Sequence, residues 1–134
     1  MLRKILGVVA GVVAGALVVF AVEGIGHSIY PPPAGTDLHD PEALKALMLT
    51  LPRGALLFVV LGWTLGAFAG GAVAGLIGRG IVPALLTGAI QLLFGIMTML
   101  MIPHPAWMMA LGILLPVPCA WVGGLLLVRS SKAV

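Results

Sequence analysis

Charge is what this sequence has least of: charged residues make up 8% of it, against roughly 25% in soluble domains. A chain so poor in Asp, Glu, Lys and Arg cannot cover a globular surface with polar groups, which excludes an ordinary soluble domain. Cysteine is nearly absent too. The single Cys119 rules out an intramolecular disulfide and a Cys-pair metal site, and its place in an apolar run marks it as a small packing residue. Asparagine is missing altogether, and Gln91 is the only side-chain amide. The motifs of soluble catalysis are also absent: no glycine loop leads from a strand to a helix, and there is no HExxH or GxSxG pattern. Ser28 adjoins His27 in sequence, which does not present a nucleophile to its base. No enzymatic activity and no cofactor are expected.

What is present is apolar length. Residues 5–22, 54–78, 80–102 and 106–128 contain no Asp, Glu, Lys or Arg. Each is about as long as the roughly 20 residues a helix needs to cross the hydrocarbon core of a bilayer. These runs predict a single all-α membrane domain over residues 1–134, with four transmembrane helices at about 5–29, 54–78, 80–102 and 106–128. Met1-Leu2-Arg3-Lys4 resembles the basic start of a secretory signal, and Val19-Phe20-Ala21 a weak cleavage site. The apolar run behind them exceeds a signal core in length and three further spans follow, so the segment is expected to be retained.

An even number of spans puts both termini on one side, with Arg3, Lys4, Arg79, Arg129 and Lys132, and leaves Lys45 and Arg53 on the other. The positive-inside rule makes the terminal side cytoplasmic. The outer side then holds all four acids, Glu23, Asp37, Asp40 and Glu42, with His27, His39 and His104. The basic residues are scattered over span ends, and nucleic acid is set aside as a partner. The partners expected are the lipid bilayer and either a second copy or a larger membrane complex.

The outer loop, residues 30–53, has internal order. Pro31-Pro32-Pro33 cannot continue a helix and favours an extended exit. Asp40 then reads as an N-cap, Pro41 as the first helical residue and Glu42 as an acid favourably placed on the helix dipole. A short amphipathic helix is predicted over about 41–51, with Leu44, Leu47, Met48 and Leu51 on one stripe, lying at the membrane interface or capping the bundle.

Helices in lipid associate through close contact of small residues. Gly7, Gly11 and Gly15 form one four-residue ladder in the first span; Gly62, Gly66, Gly70, Ala74 and Gly78 form a longer one in the second, with Gly71 and Gly75 beside it. The second span is therefore expected to be the central helix, crossed by the first near residues 70–78. Gln91 should turn inward and hydrogen-bond across helices, and Pro116 and Pro118 should kink the fourth span.

Two constellations carry candidate chemistry. Glu23 and His27, four apart on one helix face, and His104 in the turn after the third span compose an outer-face polar cluster with Arg53. Two imidazoles and a carboxylate would suit a divalent metal or a proton relay; the plainer reading pairs Glu23 with Arg53. Met97 and Met101, with His104 three residues on, offer thioether and imidazole ligands of the kind that select Cu(I), and the MxxxM pair resembles that of copper-uptake channels. Methionine is equally ordinary as lipid-facing or gap-filling material.

The stretches Glu23-Gly24-Ile25-Gly26-His27-Ser28-Ile29-Tyr30-Pro31-Pro32-Pro33, Asp40-Pro41-Glu42-Ala43, Gly62-Trp63 and Pro103-His104-Pro105-Ala106-Trp107 resemble a group of small four-span bacterial inner-membrane proteins that carries no assigned activity. The resemblance implies a bacterial inner-membrane location and no residue roles. Two functions are open at this point. One is an accessory or interaction subunit recognised through its outer polar rim, which needs only a dry, closed bundle. The other is a small oligomeric transporter or channel for an ion or metal, which needs a cavity reaching Gln91 or the Pro116–Pro118 kink.

Overall fold

A computed structural model describes residues 1–37 and 39–130. Helix follows helix: α1 (Leu2–Ile29), α2 (Pro41–Thr50), α3 (Arg53–Gly78), α4 (Ile81–Met101), α5 (Ala106–Leu114) and α6 (Pro116–Ser130). No strand occurs among the described residues. Four segments are long and apolar enough to cross a membrane: α1, α3, α4 and the α5–α6 pair over Ala106–Val128. The architecture fits a multi-pass membrane protein. Lys132 lies outside the described residues.

Each helix stops where its sequence removes a donor or forces a turn. α1 ends at Tyr30, just ahead of the three prolines. Pro52 precedes α3 and Pro105 precedes α5, both at N-cap positions where a missing N–H costs nothing. Between α3 and α4 the reversal takes two residues. Arg79 adopts the left-handed conformation (φ 52°, ψ 48°), and the Gly80 N–H reaches back to the Gly75 carbonyl at 3.1 Å, satisfying an end-of-helix acceptor. The last span breaks at Leu115: Pro116 has no N–H for the Gly112 carbonyl, and Pro118 none for that of Leu114.

The short helix α2 is capped as its sequence dictates. The Asp40 carboxylate accepts the Glu42 N–H at 3.1 Å, Pro41 opens the first turn, and Lys45 pairs with Glu42 at 2.8 Å. The helix closes one residue short of the predicted 41–51, because Leu51 precedes Pro52 and is held extended (ψ 135°). Asp40→Ala should cost about 1 kcal/mol of local helix stability. Hydrogen exchange should quicken at the amides of the first turn of α2 and stay unchanged in α3.

α3 is the hub, flanked by α1, α4 and the α5–α6 span. Its glycines allow this. Along the α1 side, a methyl group built on Gly7 would lie 2.7 Å from the Gly78 nitrogen, one on Gly11 2.5 Å from the Gly70 carbonyl oxygen, and one on Gly15 2.8 Å from that of Gly66. The two backbones meet with no side chain between them, antiparallel along most of α1. The first span thus follows α3 from Gly78 past Gly62, a longer contact than a crossing near residues 70–78. On a second face, Gly71 meets Ala120 and Gly75 meets Gly124, seating α6 parallel to α3. Pro83, Ala84, Thr87 and Gly88 of α4 fill the remaining angle and are all buried. A larger-residue core forms near α2, where Leu56, Val60 and Met108 pack with Met48, Leu51 and Trp63. The outward face of α1, with Ile5, Leu6, Val9, Val13 and Leu17, stays exposed, as a lipid-facing surface would.

Candidate functional site

Proline chemistry and glycine packing together open a cleft. Gly88 and Gly95 are seven residues apart and share a face of α4. At Gly88 that face is tight against the last span, for an added methyl would lie 2.7 Å from the Ala120 Cβ and 3.2 Å from the Pro116 carbonyl. At Gly95 nothing lies within 4 Å. Between the two levels the last span breaks at Leu115, and α4 regains it only where the Met99 methyl reaches Gly112. On the opposite flank, α1 touches α4 at Gly11–Thr87 and Gly15–Gln91. Beyond Gln91 the two helices part around a cavity of about 580 Å³.

The walls are α1 (Val12, Ala16, Val19, Phe20), α3 (Ala55, Phe58, Val59, Trp63) and α4 (Phe94, Gly95, Thr98) with Ile102 just past its end; Leu44, Leu47 and Met48 of α2 and the following Leu51 also line it. They are overwhelmingly apolar. The side between α1 and α4 is not closed: Phe20 is 73% and Phe94 56% exposed, and both line the cavity. In a membrane that gap faces lipid.

Polar groups sit at two levels. Gln91 and Pro116 mark the floor. The Gln91 Nε2 donates to the Gly66 carbonyl at 3.4 Å, a long bond, while its Oε1 is buried with no donor. Flipping the amide would set two acceptors face to face, so one unpartnered acceptor belongs to this position in either orientation. Thr87 cannot supply the missing proton, because its hydroxyl donates to Pro83 of its own helix at 2.9 Å. At the mouth stand Glu23, His27, Tyr30 and His104. Glu23 is eight residues beyond Gly15 along α1, or about 12 Å above the floor.

His104 is buried, with its ring tilted on Trp63 at a centroid distance of 5.8 Å. Its Nδ1 lies 2.6 Å from the Ile102 carbonyl, which can only accept, so Nδ1 carries a proton and donates it there. Tyr30 leans on Phe58 at 6.2 Å and covers Gly54.

The cluster read from sequence is thus only partly assembled. Glu23, His27 and His104 line one cavity, but among the described residues no three His, Cys, Asp or Glu side chains converge as metal ligands. Arg53 is exposed and outside the cavity, and the Glu23–Arg53 pair is not formed; the single ion pair among the described residues is Lys45–Glu42. Arg53 starts α3 directly after Pro52 and is exposed there. Met97 and Met101 are 51% and 69% exposed on the outside of α4, whereas His104 turns inward to Trp63, so the thioether–imidazole set does not close on one point.

Comparison with protein-family models, curated proteins and solved structures returned no match. The function has to be argued from the cleft itself. Its aromatic lining, Phe20, Phe58, Trp63 and Phe94, went unremarked in the sequence. Those residues lie on three different helices, and their one shared local feature is a place toward the α2 end of each span.

Proposed function

We propose that this chain is a non-enzymatic multi-pass protein of a bacterial inner membrane, with cytoplasmic termini, that binds an amphiphilic small molecule entering laterally between α1 and α4. The observation that carries this reading is the cavity descending from Glu23 and His27 to Gln91 and Pro116. An accessory subunit recognised only through its rim has no need of such a space. A metal or ion path is poorly served by these walls, because a charge there would exchange its hydration for aliphatic and aromatic carbon. An elongated organic molecule with a polar end is well served. The orientation is supported by Arg3, Lys4 and Arg79 at the end of the bundle opposite the cavity mouth. With that orientation, α2 lies at the outer interface as a lid above the cleft.

Trp63 provides the test. In nanodiscs, with Trp107 and Trp121 replaced by phenylalanine, a brominated decyl chain should quench Trp63 emission along a saturable curve, as filling of one site does. Quenching that rises only in proportion to the probe's share of the bilayer would show general lipid contact and end the proposal.

A further inference from the structure

We propose, building on the cleft's role as a binding site, that its ligand is a cationic amphiphile whose positive headgroup pairs with Glu23 while its apolar tail lies between α1 and α4 toward Gln91. The inference starts from the sign of everything polar in the lining. Among the described residues no lysine or arginine lines the cavity, and Glu23 is its one carboxylate. That carboxylate is half-buried and has no Lys or Arg partner among the described residues: Lys45 of α2 is tied to Glu42, and Arg53 at the start of α3 is exposed. Its one titratable neighbour on the same face is His27, a helical turn further on and exposed.

The floor of the cavity points the same way: Gln91 Oε1 is an acceptor without a donor among the described residues. An anionic headgroup would meet the Glu23 carboxylate at the mouth, with no lysine or arginine of the described lining to answer it. A positive one meets Glu23 and the faces of Phe20, Phe58 and Trp63, whose quadrupoles attract cations. Length agrees as well: a tail of about 12 Å spans the separation of Glu23 from the Gln91 level.

The experiment uses a charge series on one tail: decyltrimethylammonium, decanol and decyl sulfate, each competing with the brominated decyl chain for Trp63 in nanodiscs. The ammonium should displace the chain at least about tenfold more effectively than decanol, and the sulfate less effectively than decanol. Glu23→Gln should abolish the preference for the ammonium over decanol. Saturable quenching with no charge preference in the wild-type protein overturns the cationic ligand and leaves the cleft a site for neutral amphiphiles, and a preference that survives Glu23→Gln overturns the pairing with Glu23. Absence of saturable quenching overturns the binding function itself. The wild-type series needs no variant, so the inference stays exposed to refutation even if Glu23→Gln folds poorly.

Discussion

Replacing Gly71 with leucine is expected to separate α3 from α6 and lower bundle stability by more than about 3 kcal/mol. The two helices are in backbone contact at this point. Even a methyl group on Gly71 would collide with the Ala120 carbonyl oxygen, and Ala120 Cα would be only 2.5 Å away. Neither atom belongs to a side chain that could rotate aside. Relief requires moving a whole helix, and α6 is held on its other side by α4, where Ala84 meets Gly124 and Gly88 meets Ala120. Separation would thus forfeit packing at both interfaces, and in lipid that packing is the main attraction between helices. Gly24 is the control: it lies on an exposed face of α1 with nothing within 4 Å, so Gly24→Leu should be neutral or slightly stabilising. Unfolding by steric trapping in bicelles would measure both. Equal stability of the two variants would mean that α3 and α6 are not in contact in the membrane.

The four spans were legible because lipid imposes a one-dimensional rule: a helix must be apolar for its whole length, and charge-free runs expose that directly. The α2 cap was legible for a similar reason, since Asp40, Pro41 and Glu42 act on their own backbone. Relations between helices were harder to read. Glu23 and Arg53 look like natural partners on paper, yet a pairing across two helices depends on rotation about each axis, which a four-residue spacing does not set. The methionines show the same difficulty. Met97 and Met101 share a face with each other, but His104 lies beyond the end of α4, where the Pro103–Pro105 turn redirects the chain and Trp63 receives the ring.

The cleft itself arises from two causes that are each visible in sequence and whose combination is not. Glycine brings α1 onto α3 and α6 onto both α3 and α4, which would close the bundle if it continued to the α2 end. Proline at 116 and 118 interrupts the last span just above the tight Gly88–Ala120 contact, so the close packing stops halfway. Gln91 sits at that transition. Its amide nitrogen binds Gly66 across the α3–α4 interface, and its oxygen is buried there without a donor. The bundle is therefore built as a close-packed base with a divided upper half, and the gap between α1 and α4 is the lateral entrance that the proposed function requires.

That division makes Gly95→Phe the most discriminating substitution on the binding side. Gly95 lines the cavity, and a side chain built there enters open space. A phenyl group should fill the cleft between Phe94 and the α1 wall, bury apolar surface that is now bare, and replace the poorest ordinary helix former by a better one. Stability is expected to stay within about 0.5 kcal/mol of the parent or to rise. Binding should be lost outright: saturable quenching of Trp63 by the brominated decyl chain is expected to fall to the level of general lipid contact. The same substitution at Gly88, on the same face of α4, should instead drive into Ala120 and Pro116 and destabilise the fold, which separates filling a cavity from disrupting a packed interface. A Gly95→Phe protein that is stable and still binds the chain would place the amphiphile outside the cleft, and with it the function argued from Glu23, Gln91 and the break at Leu115.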